Sequence, residues 1–562
     1  MAMRFDLWGV IAATVLAALS GNQAPEAQLV TTEQSRQIDA LFAKWDHSDS
    51  PGCTLSVMRG GQIIYKHAYG MANLDHDVIL TTDTPFHVAS VSKQFVAASI
   101  VLLEQDGKLS FDDDVRKYIS ELPDFGTKIT LRHLLHHTSG LRDQWDLLGL
   151  AGWRYSLDLI TNEDVLSVVT KQKALNFPPG SEYTYSNTGY TLLGEIVKRV
   201  SGRSLREFTT ERIFAPLGMK NTHFRDDHAE VIKHQAYGYA SDDKGRWKLS
   251  ITNFDTVGAT SLFTTVEDLA LWDENFYTGK VGGPHFTETM LHRDPLTNGE
   301  NIPYAFGLVA GKYRGLDTVD HGGADAGYRS DLIRFPKQHF SVACLCNAGG
   351  SAETGTLSKK VADILLAADL AAPEPAPKTG EKFITLSAGE ASARAGFFLE
   401  TKTDQSLKLV AKGAELSVMF GDNALALHPY TADRFQVAEY PVEIQFSPGK
   451  DGMLEMKVGT PGEKMTTYRQ LASYKLPDAN KQEYLGNYRS EEIDPIYRIV
   501  EEDGKLVLRR LKHKPETLEA VATDLFRAEV GALRFQRDAR QSVSGMLLTT
   551  GRIRNLGFKK EK

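Results

Sequence analysis

The chain has 562 residues, 42% of them hydrophobic, 24% charged and 9% aromatic, enough for three or four domains of ~150 residues with cores of their own. Its 64 basic and 72 acidic residues leave a net charge of −8, which gives no support to a nucleic-acid partner. Ordinary glycine and proline contents, 47 and 21, exclude collagen-like and low-complexity chains.

The first residues read as an address. Arg4 and the amino terminus supply positive charge, weakened by Asp6, and residues 7–19 are uncharged and largely apolar. That run is shorter than the roughly 20 residues needed to span a bilayer. Ala18-Leu-Ser20 offers small residues at cleavage spacing, so residues 1–20 are predicted to be a signal peptide and the mature protein to be periplasmic or secreted. No later run is long and apolar enough for a transmembrane helix. Three cysteines, Cys53, Cys344 and Cys346, are too few for a disulfide framework, and they are expected to be core thiols rather than ligands.

Ser90-Val-Ser-Lys93 is the first candidate for chemistry. The pattern S-x-x-K recurs at Ser241 and Ser447, but in polar turns. Ser90 instead opens Gln94-Phe-Val-Ala-Ala-Ser-Ile-Val-Leu-Leu-Glu, an apolar helix closed by Gly107. Positions i and i+3 share a helix face, so Lys93 reaches the Ser90 hydroxyl. A serine hydroxyl is a weak nucleophile until a base takes its proton, and lysine serves only where burial or positive neighbours lower its pKa. An N-cap serine beside an exposed lysine is the bland alternative.

Histidines 133, 136 and 137 follow, the last two in Leu134-Leu-His-His-Thr-Ser-Gly-Leu141. They do not form H-E-x-x-H, and no metal is expected there. Tyr185-Ser-Asn187 comes next, after Phe177-Pro-Pro-Gly180 and before a second apolar helix. Tyr185 suits a proton shuttle, and the Asn187 amide suits either a substrate carbonyl or a helix N-cap. His321-Gly-Gly323 stands at the start of an expected strand ending near Phe335, where glycines would admit a substrate backbone.

The proline-rich segment 371–380 follows a helical stretch at 359–370 and reads as a semi-rigid linker. Beyond it, short alternating segments between turns predict antiparallel β structure. Gly396-Phe-Phe is echoed by Gly486-Asn-Tyr, Asp433-Arg-Phe435 by Asp524-Leu-Phe526, and Ile444-Gln-Phe446 by Leu533-Arg-Phe535. The near-constant offset predicts two copies of one small β-domain, residues 381–475 and 476–562. Neither copy shows a catalytic constellation. A chain ending near residue 372 is expected to fold by itself.

Ser-x-x-Lys, Tyr-x-Asn and His-x-Gly, in this order and together with Pro216-Leu-Gly-Met219 and Thr265-Val-Glu-Asp-Leu-Ala270, resemble the penicillin-recognising serine hydrolase superfamily. The resemblance covers residues 31–370. It implies an α+β β-lactamase-type domain, an antiparallel sheet flanked by helices, and no metal or organic cofactor. Ser90 would be the acylated nucleophile, Lys93 its base, Tyr185 the proton shuttle and Asn187 the substrate-amide contact. His321 and Gly323 would occupy the third motif, and the backbone N–H groups of Ser90 and Ala324 the oxyanion hole.

Many relatives carry Lys-Thr-Gly at the third motif to attract a carboxylate. Here Lys378-Thr-Gly380 falls in the linker, and a mostly neutral His321 implies weaker selection for an anion. D-stereospecific aminopeptidases resemble the chain in His-x-Gly and in two trailing β-barrels, so D-amino-acid amides or peptides are the first expected substrates. Esters, β-lactams and peptidoglycan stems follow. A non-catalytic penicillin or cell-wall binder is the alternative of another class. A small-molecule or peptide partner is implied; a homodimer and cell-wall contact stay open. In the aminopeptidases a loop from the last barrel reaches the active site, and no stretch of this sequence declares itself as that loop.

Overall fold

The computed structural model describes residues 29–372 and 383–561, apart from 401, 421–422, 439, 441, 450–451 and 461–464. The predicted signal peptide and most of the linker, Lys378-Thr-Gly380 included, lie outside the described residues. No helix among the described residues is long and apolar enough to cross a membrane.

A six-stranded antiparallel sheet positions the candidate site. Its strands are β1 (Cys53–Arg59), β2 (Gln62–Tyr69), β3 (Val309–Tyr313), β4 (Leu316–Asp325), β5 (Tyr328–Phe335) and β6 (Phe340–Cys346). Their spatial order is β3-β4-β5-β6-β1-β2, so strands from the two ends of the domain meet in its middle. Side chains alternate across a strand, and β6 feeds two cores. Ala343 and Leu345 enter the helical core, while Val342, Cys344 and Cys346 enter a second core on the opposite face. That second core is closed by helices α1 (Thr32–Phe42) and α5 (Thr354–Leu365). Burial on both faces explains why Phe340-Ser-Val-Ala-Cys-Leu-Cys346 is almost continuously apolar.

The other face carries α2 (Lys93–Gln105), α3 (Asn187–Ser201) and α4 (Val266–Thr278). Helix α2 is buried from Lys93 to Leu103, as expected of a helix apolar all round. Thr265 caps α4 by accepting from the Asp268 N–H at 3.1 Å, and Gly279 ends it in the left-handed region.

Three expectations need correction. Cys53 and Cys346 form a disulfide, leaving only Cys344 as a free, buried thiol. The two are direct partners in the β1–β6 ladder, a register that their separation of 293 residues conceals. His321 lies inside β4, not at the start of a strand ending at Phe335. A turn at Ala326 and Gly327, with Ala326 at a φ of 45°, divides that stretch into β4 and β5. The helix before the linker is α5, ending at Leu365 rather than running to residue 370.

The repeat copies are two barrels of antiparallel strands. Eight strands from Gly396–Glu400 to Thr466–Gln470 close the first. The second is one nine-stranded sheet, nearly closed, whose edge strands Glu516–Thr517 and Glu519–Ala522 are separated in the chain only by Leu518. The repeat anchors hold equivalent places. Phe446 N–H donates to the Asp433 carbonyl at 2.8 Å, and Phe535 N–H to that of Asp524 at 2.7 Å.

The second barrel is not a tethered appendage. Its Tyr497, Phe558 and Leu556 belong to the same apolar core as Leu147 and Leu150 of the catalytic domain, and Tyr497 donates to the Leu150 carbonyl at 2.9 Å. Arg142 pairs with Glu492 of the barrel, both side chains buried, and also donates to the Arg554 carbonyl at 3.1 Å.

Candidate active site

Ser90 stands on a 3-10 turn, Ala89–Ser92, that runs straight into α2. Ala89 enters the turn at a φ of 48°, a conformation L residues rarely adopt. One local and two tertiary bonds hold it: Ser92 Oγ donates to the Ala89 carbonyl, Ser330 Oγ to the Val88 carbonyl at 2.7 Å, and Leu262 N–H to Ser92 Oγ at 3.1 Å. Gly323 matters here in a way the sequence did not suggest. A Cβ at that position would sit 2.4 Å from the Val88 carbonyl oxygen and 2.3 Å from Ser330 Oγ. Its missing side chain lets β4 press against the turn that carries Ser90.

Lys93 is fully buried and spends three N–H bonds on three acceptors. They are Ser90 Oγ at 3.1 Å, Asn187 Oδ1 at 2.9 Å and the Ala259 carbonyl at 2.7 Å. Burial lowers its pKa to about 7; Arg552 reinforces the shift, while Asp143 and Asp325 oppose it. A neutral Lys93 still has two N–H groups for Asn187 and Ala259, and its lone pair then faces the Ser90 hydroxyl. The triad of contacts is therefore set for proton removal from Ser90.

Tyr185 is held beside them. Its ring centre lies 4.9 Å from Lys93 Nζ and 4.2 Å from that of His137. Burial raises its pKa well above the ordinary value, with the Ser90 hydrogen bond opposing, so the hydroxyl keeps its proton near neutral pH. Of this pair, Lys93 has the lowered pKa that suits a base, and Tyr185 is a neutral hydroxyl able to relay a proton.

Asn187 is the first residue of α3 and caps nothing. Its amide is oriented from both sides: Oδ1 accepts from Lys93, and Nδ2 donates to Asp143 Oδ2 at 3.0 Å. Asp143 Oδ2 also accepts the Asn187 backbone N–H at 2.7 Å, while Oδ1 caps the helix Gln144–Leu150 through Trp145 N–H at 3.0 Å.

His321 faces the cavity from β4. Its Nδ1 donates to the Gly322 carbonyl at 2.7 Å, which leaves Nε2 to accept the Tyr304 hydroxyl at 2.8 Å. Burial, helped by Lys93, lowers its pKa to about 3, so the ring is neutral. Strand β3 pairs with β4 from Leu316 to Asp320 and no further, which leaves the stretch from His321 to Ala324 unpaired on that side. The other histidines of the sequence motif are structural. His133 Nδ1 accepts from Thr130 N–H, His136 Nδ1 donates to the Tyr304 carbonyl, and His137 Nδ1 accepts from Ser186 N–H.

These groups line one cavity of about 420 Å³ that holds Ser90, Tyr185, Asn187, His321, Gly322 and Ala324. Lys93 lies behind Ser90, and Gly323 is packed against the turn. The cavity also holds residues that sequence reasoning missed: Trp145, Tyr155, Asp325 and Arg552. Asp143 carried one legible signal, an N-cap position before an apolar helix. Arg552 carried none, because it belongs to the second barrel.

A buried lysine bonded to a serine on a helical turn, beside a tyrosine and against the exposed edge of an antiparallel sheet, defines a serine hydrolase of β-lactamase type. Residues 38–366 match the Beta-lactamase family, and the chain belongs to it. The chain is 30% identical to a penicillin-binding protein of Bacillus subtilis (strain 168) over 433 residues, 74% of this chain and 94% of that one. It is 26% identical to a D-aminopeptidase of Gluconobacter oxydans (strain 621H), covering 84% of this chain and 85% of the relative. Among solved structures, an octameric penicillin-binding protein homologue from Pyrococcus abyssi shares the fold with a TM-score of 0.56 at 22% identity, covering 78% of this chain and 99% of its own.

Proposed function

We propose that the protein is an exported hydrolase of D-configured amides and short peptides, working through an acyl-enzyme on Ser90. The observation that carries the mechanism is the threefold bonding of buried Lys93 to Ser90, Asn187 and Ala259. Neutral Lys93 takes the Ser90 proton as Oγ attacks the carbonyl. Backbone N–H groups of Ser90 and Ala324 hold the oxyanion. As the C–N bond breaks, the Tyr185 hydroxyl gives its proton to the leaving nitrogen and is reprotonated from Lys93, which is then neutral again to take a proton from the incoming water. Water then releases the acyl group from Ser90 Oγ. The D-aminopeptidase similarity, which covers 84% of this chain and so reaches beyond residues 38–366, supports the substrate class. The Cys53–Cys346 disulfide supports export, since such bonds persist in oxidising compartments.

The test is a side-by-side assay with D-alanine p-nitroanilide, p-nitrophenyl acetate and a chromogenic cephalosporin, with Ser90→Ala as the blank. Ser90-dependent release from the D-anilide is the expected result. Release from the ester or cephalosporin alone discards the D-amide reading while keeping the mechanism. The penicillin-binding relative makes β-lactam acylation the second reading, and a stable Ser90 adduct without turnover would favour it.

A further inference from the structure

Arg552 is a cation delivered to the cavity by another domain. It sits at the tip of the hairpin between Val543–Thr550 and Ile553–Lys560. The tip is fastened to the catalytic domain through its main chain. Arg552 N–H donates to Asp146 Oδ2 at 2.7 Å, and its carbonyl accepts from Asn176 Nδ2 at 2.7 Å. Next to it, Arg554 N–H donates to Asn176 Oδ1 at 2.8 Å, and the Arg554 guanidinium pairs with Glu182 at 3.1 Å. These bonds leave the Arg552 side chain free to serve the cavity wall beside Ser90, Tyr185 and Asn187.

Its own partners do not account for it. The guanidinium lies 5.0 Å from the Tyr185 ring centre and makes one ion pair, Nη1 to Asp143 Oδ2 at 3.3 Å. That oxygen already accepts two N–H groups from Asn187. Guanidinium–carboxylate pairs are frequently bidentate, with two parallel N–H bonds. Here the contact is single, and the Arg552 side chain is 42% exposed against 1% for Asp143. Among the described residues, no other ionisable group lining the wall carries a positive charge. His321 is neutral, and both oxygens of buried Asp325 are occupied by the hydroxyls of Tyr155 and Thr260 at 2.7 Å.

We propose that Arg552 binds a carboxylate of the substrate, so that this enzyme selects anionic amides, peptides and esters over neutral ones. The inference rests on the serine hydrolase reading of the cavity and narrows the expected substrates from simple amides to short peptides with a free carboxylate. Anion selection, expected from the sequence to be weak at His321, is thereby transferred to the barrel.

The experiment uses full-length mature protein and two matched ester pairs: mono-p-nitrophenyl succinate with p-nitrophenyl butyrate, and 4-acetoxybenzoate with its methyl ester. The first pair places the carboxylate on the acyl half, the second on the leaving half. The wild type is expected to prefer the anionic member of at least one pair in kcat/KM. Arg552→Gln is expected to reduce that preference by about tenfold, mainly through KM, with Arg552→Lys retaining part of it. A wild-type preference for the neutral member in both pairs overturns the proposal. So does a preference that falls less than about threefold in Arg552→Gln, the loss of a net charged hydrogen bond being larger. Should Arg552→Gln fail to fold, the wild-type preference and its reduction in Arg552→Lys decide. A preserved ester preference with no cleavage of D-alanine p-nitroanilide discards the D-amide reading and keeps the carboxylate site. Absence of Ser90-dependent turnover of every ester discards both.

Discussion

Asp143 and Arg552 meet at 3.3 Å across the boundary between the catalytic domain and the second barrel. The same Asp143 oxygen holds both N–H groups through which Asn187 is aimed at Lys93. Barrel and nucleophile are thus three side chains apart.

The base determines the pH profile. With the Lys93 pKa lowered to about 7, kcat/KM is expected to rise with pH up to about 7 and to level above it, falling about tenfold per unit below. Arg552 contributes to that depression. Removing its positive charge raises the Lys93 pKa, so the acid limb of Arg552→Gln is expected at higher pH. A pH series of kcat/KM with a neutral ester measures both; an unmoved limb would break the link.

Ser90→Ala and Lys93→Ala are each expected to lower kcat by about 10³-fold or more, because nucleophile and base act as a unit. Their double variant should be hardly worse than either one. Ser90→Ala should unfold at a temperature close to the wild type, whereas Lys93→Ala empties a buried site and is expected to melt lower.

Gly323→Ala is expected to reduce turnover sharply while the protein still folds. Its Cβ would press on the Val88 carbonyl at 2.4 Å and displace the turn that holds Ser90. Active-site titration with a β-lactam or a fluorophosphonate reads this as slowed acylation.

Glu492→Ala leaves Arg142 buried without its counter-charge, at a cost of about 3 kcal/mol. Urea unfolding is the measurement. The same pair and the shared apolar core predict that a chain ending near residue 372 aggregates, contrary to what the linker composition suggests.

Removing the Cys53–Cys346 bond by a double alanine substitution should cost about 2–4 kcal/mol. Peptide mapping without reductant is expected to recover that pair, and thiol labelling to reach Cys344 only after unfolding.

The sequence by itself determined which residues to look at and the family they resemble. Ser90, Lys93, Tyr185, Asn187 and His321 are short-range patterns, each tied to a helix start or a strand by apolar periodicity, and the barrel repeat is a spacing anyone can count. The tertiary structure decided what depends on contact between distant segments. It paired Cys53 with Cys346 across neighbouring strands and packed Gly323 against the nucleophile turn. It also buried Lys93 deeply enough to lower its pKa, and brought Arg552 from the last hairpin to the cavity. A side chain's charge is written in the sequence, but its pKa and its partners follow from burial and from which strands lie side by side.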